Sequence, residues 1–438
     1  MCNILGLSNG HDANVSVVTS DGTRLLLELE RIVRRKHAAG YVAPIVERAL
    51  ETSGLTLEAI DAVAVVPPIW PEAGYDWSII GGSLPGNPSE TTVGEIELLG
   101  HRKRAYFVPH HVAHASYSYF SAGVGRADVF TADAGGGQVD ASFSRWSEGR
   151  LIEFIPLPEL HIGSLWSVLA SELFGDIFAA GKVMGLAAYG SANCVQELER
   201  AFRTSVDGLP GCRSAWQAGS VLGKGTGWRS ARARNMAASL QEFTEQVSLE
   251  VVERLGRPER SDALCMGGGL ALNGYLNTRL STETAYRKFC FPAAVHDGGL
   301  SLGAALKTYV EVTRRHVAKP LSPFLGLSPD GTIDADSPFT DGSVLAAAEL
   351  LRDGGVVAVC QGRAEAGPRA LGHRSIIAGV DQPWVRDYLN SRVKDRESFR
   401  PVSPAILEDD AAAFLENKTH CNGEMTQIGR LSAEGLAR

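Results

Sequence analysis

Asp128-Val129-Phe130-Thr131-Ala132-Asp133-Ala134-Gly135-Gly136-Gly137 is the stretch whose reading decides how this chain folds. A run of strand character ends in an acidic residue and three glycines. Residues 139–146 then read as a second strand, Glu148-Gly149 as a turn and 151–155 as a third strand. The same order stands at the beginning of the chain. Ile4-Leu5-Gly6-Leu7 is a short apolar strand, Ser8-Asn9-Gly10-His11-Asp12 breaks it, 14–18 resumes it, Asp21-Gly22 turns, and 24–30 supplies a third strand. Asp12-Ala13 and Asp140-Ala141 even precede the second strands in comparable places. Two copies of strand, Gly/Asp turn, strand, turn, strand predict an internally duplicated α/β domain. Its halves would enclose a cleft, with the glycine-rich turns facing one another across it. Two unrelated hairpins would give the same local pattern, so the rest of the chain has to decide.

Between the copies lie a helix over 42–52, a strand over 62–66 and a Gly/Pro-rich stretch, 67–88, that reads as a lid or substrate-facing loop. Next comes His110-His111-Val112-Ala113-His114, after the apolar Tyr106-Phe107-Val108 and at the start of a helical pattern. His110 and His114, four apart, share one helical face and form half of a metal site that needs a third ligand from elsewhere. Position 111 is His and not the Glu of a zinc-protease motif. A capping or polar-face role for these histidines is the plain alternative. Beyond the second copy, helices are expected over 163–174 and 236–255, with Ala180-Gly181-Lys182 between them, where an ammonium and bare amides can face a phosphate. A strand over 263–266 then runs into Gly267-Gly268-Gly269 and a helix start. Such turns present unpaired N–H groups to a nucleotide phosphate or sugar, and Asn273, one turn on, can reach the same ligand. A tight strand–helix corner is the alternative. Asp297, in Val295-His296-Asp297-Gly298-Gly299 before a helix over 301–316, is the natural third metal ligand, or else a helix cap.

Composition excludes several classes. The chain has 438 residues, 44% hydrophobic and 21% charged, which fits a globular protein of two or three domains. A net charge of -8 gives no general pull toward nucleic acid or anionic membrane. The cysteines at 2, 194, 212, 265, 290, 360 and 421 are scattered and lack C-x-x-C spacing, as reduced thiols would be. There is no signal-peptide pattern and no apolar run of about 18 residues. A cytoplasmic protein is expected. Later in the chain, Arg363, Arg369, Arg374, Lys394, Arg396 and Arg400 put six cations within 38 positions. Guanidinium forks suit phosphate oxygens, so the cluster reads as a phosphate-binding site. Surface arginines paired with Glu365, Asp387 and Glu397 are the alternative.

Taken in order, several of these elements resemble the NodU/CmcH family of O-carbamoyltransferases. They are Gly10-His11-Asp12-Ala13, Glu28-x-Glu30-Arg31-x-x-Arg34-x-Lys36-His37, His110-x-x-x-His114, Asp133-Ala134-Gly135-Gly136, Gly181-Lys182-x-Met184-Gly185-Leu186, Gly267-Gly268-Gly269-x-x-x-Asn273 and Asp297-Gly298-Gly299. The second block, from Gly362-Arg363 to Ile376, and Lys394-Asp395-Arg396-Glu397-x-Phe399-Arg400-Pro401 resemble it too. The resemblance implies an actin-like (ASKHA) ATP-binding domain over 1–317, similar to the transferase that makes threonylcarbamoyl-adenosine in tRNA. A linker over 318–337 would lead to a smaller α/β domain over 338–438 that binds carbamoyl phosphate and is similar to threonylcarbamoyl-AMP synthase. That second domain looks shortened, because the family's Asn-Thr-Ser-Phe-Asn segment is absent from this sequence. Ala180 stands where the family carries Glu, and Gln138 where it carries an acidic residue.

The implied reaction has two steps. Carbamoyl phosphate loses phosphate to give carbamate, which attacks the α-phosphate of ATP with Mg(II) to form carbamoyl-adenylate and release pyrophosphate. The carbamoyl group then passes to a hydroxyl of a small natural product. A divalent metal on His110, His114 and Asp297 would act as Lewis acid, and two His with one carboxylate suit Fe(II) first, with Zn(II) or Mn(II) as rivals. His11, positioned by Asp12, is the candidate base. Lys36 and His37 are candidate acceptor contacts, though the basic run with Arg31, Arg34 and Arg35 reads equally as a solvated face. Nucleotide contacts are expected from Asp133, Gly135, Gly136, Lys182, Gly185, Gly267, Gly268, Gly269 and Asn273, and carbamoyl-phosphate contacts above all from Lys394 and Arg396. Two other readings stay open: a kinase or ATP phosphohydrolase on the same cleft, and a nucleotide-binding partner subunit without the adenylation half. A homodimer is compatible with either; nucleic acid and membrane partners are not expected.

Overall fold

In the computed structural model, the described residues are 2–22, 24–68, 77–218, 227–329, 341–380, 382–416 and 423–437. Their two large sheets repeat one plan. The first contains β1 (Asn3–Ser8), β2 (Asn14–Thr19), β3 (Arg24–Glu28), β4 (Ala62–Val66), β5 (Trp77–Gly81), β6 (Thr92–Leu98) and β7 (His101–Phe107). Its order is β3-β2-β1-β4-β7-β6-β5. The second contains β8 (Arg126–Ala132), β9 (Ala141–Ser147), β10 (Arg150–Pro156), β13 (Ala263–Gly267) and β14 (Phe289–Cys290), in the order β10-β9-β8-β13-β14; β11 (Arg203–Val206) and β12 (Leu209–Cys212) form a separate hairpin. In both sheets an antiparallel meander is followed by two parallel strands. The duplicated, actin-like α/β plan expected from the sequence is therefore present.

Two local readings change. Residues 67–88 are not all loop: 77–81 forms edge strand β5, paired with β6, while 69–76 lie outside the described residues. The third strand stops at Glu28, and Leu29 opens the short helix α1 (Leu29–Val33).

The helices decide where the halves meet. After α2 (Ala43–Thr52), α3 (His110–Ala122) follows the first sheet. Then come α4 (Ile162–Phe174), α5 (Ala180–Ala187), α6 (Val195–Phe202), α7 (Ala215–Ala218), α8 (Ala231–Leu255), α9 (Gly274–Glu283) and α10 (Leu300–Thr313). The halves exchange helices: α3 packs against β8, β13 and β14 of the second sheet, and α10 against β1, β2 and β4 of the first. Close approach of backbones makes this work. A Cβ on Gly303 would lie 2.0 Å from the Ala113 carbonyl oxygen, and one on Gly6 2.2 Å from that of Ser301. Glycine at these two positions lets α10 seat on α3 and β1 at once.

After α11 (Asp341–Arg352), β15 (Val356–Cys360) and β16 (Arg374–Ala378) form an antiparallel pair. This C-terminal region touches both halves. Arg363 donates to the carbonyls of Arg24 and Leu325, both at 2.7 Å, and Leu26 N–H donates to the Leu325 carbonyl. On the other half, Phe399 packs with Phe174 and Trp228, and Thr426 and Ile428 bond to Phe291, Asn277 and Thr278. No helix among the described residues is long and apolar enough to cross a membrane.

Candidate metal centre and nucleotide cleft

The duplication brings equivalent ends together. His110 opens α3, and Asp297 lies in the 3-10 turn that leads into α10. The turns after β1 and β8 supply His11 and Asp12 from one half and Asp133 from the other. His110 Nε2 and His114 Nε2 are 3.1 Å apart, and Asp297 Oδ1 is 3.6 Å from the first and 3.2 Å from the second. Asp133 Oδ2 completes the group at 3.3 Å from His114 Nε2. One donor atom from each of these four residues lies within 4.8 Å of all the others. The N-cap of α10 is Gly299 and not Asp297, so that alternative falls away.

These separations fit a bound cation. Ligands held at about 2.1 Å on a tetrahedron stand roughly 3.4 Å from one another, and the measured edges cluster around that value. Two imidazoles and two carboxylates are a donor set shared by Fe, Zn and Mn sites, and the set by itself names no metal. Asp133, expected from the sequence as a nucleotide contact, is the fourth member of this group. Its position after β8 mirrors that of the turn holding Asp12, which was the available signal.

Charge is balanced tightly in this pocket. Burial opposes ionisation of His114, but hydrogen bonds and charge from Asp133 and Asp297 raise its imidazole to about 9. His11 is likewise raised to about 9, against burial, by Asp297 and Asp12. Burial dominates at His110, which falls to about 4, and at His111, which falls well below the ordinary histidine range. In spite of burial, Asp12 is held below the carboxylate range by His11, His37 and His296, Asp133 by His114 and His110, and Asp297 by His11, His110 and His114. The positive ends of α3 and α10 favour the same ionised carboxylates.

His11 is fixed at both ends, with Nδ1 2.9 Å from Asp12 and Nε2 3.3 Å from Asp297. Asp12 also holds His37 Nδ1 at 3.0 Å, and both Asp12 (φ 56°) and His37 (φ 53°) adopt the left-handed backbone region. Such conformations concentrate at functional sites. Phe178 stacks on His37, with ring centroids 4.4 Å apart, and tilts against His11 at 5.1 Å. Lys36 pairs with Glu30 at 2.7 Å. Arg31 is also bonded, to Glu28 and to the Gly367 carbonyl. A cavity of about 10 Å³, room for about one water, is lined by His11, His110, Asp297, Pro67 and Pro68.

The nucleotide assignments divide. Open space lies above Gly135, and Asp133 accepts from the N–H groups of Gly269 (3.0 Å) and Ala134 (2.7 Å), which ties the two glycine-rich turns together. Gly268, however, is required by packing, and Gly267 is tightly packed. A Cβ on Gly268 (φ 82°) would lie 2.3 Å from the Ala132 carbonyl oxygen, and one on Gly267 3.2 Å from that of His114. Asn273 caps α9 through Leu276 N–H and exchanges bonds with Gln241, so its amide is committed to the scaffold. Lys182 and Gly185 face the C-terminal region: Lys182 Nζ is 2.7 Å from Glu397 Oε1, and Gly185 lies beside Phe399.

The arginine cluster divides as well. Arg374 donates to the carbonyls of Gln361, Gly362, His373 and Leu327, and Arg363 to those of Gly326, Leu325 and Arg24. Both are structural clamps and not free phosphate forks. Arg396 bonds Asn390 and the Pro401 carbonyl. Arg369 reaches the Leu272 carbonyl at 3.3 Å, and its Nε is buried without a partner among the described residues. Burial and mutual repulsion lower Arg369, Lys394 and Arg396, each of them beside Arg400. Those four are the cations the fold brings near one another.

Residues 98–306 match the family model described as Carbamoyltransferase N-terminus, and residues 348–435 the one described as Carbamoyltransferase C-terminus. The chain is similar to nodulation protein NolNO of Sinorhizobium fredii, 28% identical over 437 residues, 93% of this chain and 64% of that protein. Nodulation protein NolO of Bradyrhizobium diazoefficiens is 30% identical over 326 residues, 70% of this chain and 60% of that protein. The chain thus spans about three fifths of the length of these relatives. Among solved structures, component A of (R)-2-hydroxyglutaryl-CoA dehydratase from Acidaminococcus fermentans aligns with a TM-score of 0.41 at 12% identity, covering 73% of this chain and all of that one.

Proposed function

Since this chain belongs to the carbamoyltransferase family, carrying both its N-terminal and C-terminal regions, we propose that it moves a carbamoyl group from carbamoyl phosphate, by way of carbamoyl-adenylate, to a hydroxyl of a small molecule. The observation that carries this reading is the convergence of His110, His114, Asp133 and Asp297 beside an oriented His11. A divalent ion on those four residues would polarise the carbamoyl carbonyl and offset the two carboxylates. Asp12, bonded to His11 Nδ1, orients the ring; Asp297, 3.3 Å from Nε2, holds the proton on His11 until a cation claims that carboxylate, and Nε2 would then take the proton of the acceptor hydroxyl. The acceptor oxygen then forms its bond to the carbamoyl carbon, the bond from that carbon to the adenylate oxygen breaks, and AMP leaves. The turn around Gly135 and Gly136 is suited to the AMP phosphate, because three successive glycines leave backbone N–H groups uncovered. Arg369, Lys394, Arg396 and Arg400 are suited to the carbamoyl phosphate and ATP phosphates of the first step.

One observation favours a second reading. Arg363 and Arg374 are consumed by backbone carbonyls, which thins the phosphate-binding set. A protein that receives carbamoyl-adenylate without making it would tolerate this. Labelled carbamoyl phosphate with ATP discriminates: formation of carbamoyl-AMP supports the full two-step enzyme. Release of γ-phosphate alone supports a phosphohydrolase. Transfer only from supplied carbamoyl-adenylate supports the receiving protein.

A further inference from the structure

His111 sits between two metal-donor histidines in sequence and is not one of the four convergent donors. Its ring centroid is 5.7 Å from that of His110 and 6.3 Å from that of His114. The imidazole is 1% exposed. Nδ1 has one neighbour, Ser142 Oγ, at 3.4 Å. Nε2 is buried with no hydrogen-bond partner among the described residues. The ring edge that carries Nε2 packs against Gly136 of the 135–137 turn: a Cβ there would lie 2.1 Å from Nε2, 2.4 Å from Cδ2 and 2.1 Å from the Val139 carbonyl oxygen. Within the turn the hydrogen bond closing Gly136 is the one from Gln138 N–H to its carbonyl, at 3.1 Å. A Cβ on the neighbouring Gly135 would meet open space.

A buried nitrogen without a partner lowers stability, so a neutral apolar side chain of similar size would serve the fold better. Retention of such a group beside a bare glycine turn points to use with a ligand in place. We propose that His111 is a positioning residue for anion binding: its Nε2 becomes the hydrogen-bond partner of the 135–137 backbone when that turn closes on the phosphate of a nucleotide. Helix α3 would then serve two ligands from adjacent positions, with His110 and His114 turned to the metal and His111 to the phosphate turn. This rests on the reading of the cleft as a nucleotide site.

AMP affinity of the full chain, measured by calorimetry, tests it together with thermal unfolding. Gln places a polar atom near the Nε2 position, Asn near that of Nδ1, and Leu removes both at similar volume. His111→Leu and His111→Asn should weaken AMP by about tenfold, the scale of one lost hydrogen bond, and His111→Gln should stay within about threefold of wild type. The melting temperature of His111→Leu should hold or rise. If His111→Leu does not fold, the comparison of Gln with Asn carries the test alone. Unchanged AMP affinity in all variants, an Asn variant that binds as well as Gln, or a lowered melting temperature for His111→Leu would each overturn this proposal and leave the nucleotide cleft standing. Failure of the wild-type chain to bind AMP would overturn both.

Discussion

Stripping divalent ions from the protein and raising the pH should weaken it in a defined window. His114 is 1% exposed and lies between Asp133 and Asp297, which raise it from 6.5 to about 9. A histidine raised on folding contributes stability that is fully present below its unfolded value and is lost as pH rises through the folded one. The window is therefore about pH 6.5 to 9. The gap of roughly 2.5 pH units, at 1.36 kcal/mol each, corresponds to about 3 kcal/mol. His11 is raised in the same range and shares Asp297, so the two contributions overlap and do not simply add. His110 behaves oppositely: depressed to about 4, it adds stability above 6.5 that is lost as pH falls toward 4, outside this window. Urea unfolding at several pH values, with chelator and with added Mn(II), checks the reasoning. Metal-free protein should lose about 3 kcal/mol across the window, and the loss should flatten when an ion takes the place of the protons. Metal-free stability that is level or rising between pH 6.5 and 9 would refute the electrostatic account, and an identical slope with Mn(II) would refute the metal assignment.

Asp133→Asn should lower metal affinity by at least about a hundredfold, because removing one partner of a buried charged group costs roughly 3 to 5 kcal/mol; competition against a fluorescent chelator measures it. Gly163→Ala should disturb the same residue through the backbone, since its Cβ would meet the Asp133 carbonyl oxygen at 2.2 Å, and a lower metal affinity together with a lower melting temperature is expected. Arg374→Lys should destabilise by about 2 kcal/mol or more through lost carbonyl bonds and leave carbamoyl phosphate affinity unchanged, whereas Arg400→Ala should do the reverse; equilibrium unfolding and calorimetry separate the two. Glu424 is raised by burial to about 7, so its contribution is present below 4.5 and lost as pH rises through 7, and Glu424→Gln should remove that dependence from the unfolding curves.

Much of the fold was legible because it was written twice. The strand, turn and strand pattern at 4–18 returns at 128–146, and both copies form the predicted meanders. What was missed was local or long-range in character. β5 and the start of β6 fall in and near a Gly/Pro-rich stretch whose strand character comes from pairing and not from propensity. The spacing of His110 and His114 and the position of Asp297 before a helix point to three donors that the fold brings together. Asp133 was read as a phosphate-turn residue because sequence spacing carries no distance between β8 and α3. The arginines illustrate a different limit. Charge and motif could not tell Arg374, bonded to backbone carbonyls, from Arg369, whose Nε lacks a partner among the described residues. That distinction depends on which carbonyls of the 361–373 loop turn inward.

The exchange of α3 and α10 has a consequence for how the protein comes apart. Each sheet is covered by the helix that the other half of the chain supplies, and one apolar cluster includes Val112, Ala113, Phe120, Val129, Cys265, Leu302 and Leu306 from both halves. Neither half can open alone without stripping its neighbour of a whole face. Excised separately, each would expose a bare sheet and an orphaned helix, so fragments cut between α3 and β8 should be aggregation-prone and not independently folded. The duplicated region should therefore melt as one cooperative unit, and protease nicks in the loop between the copies should be tolerated only while the pieces stay interlocked.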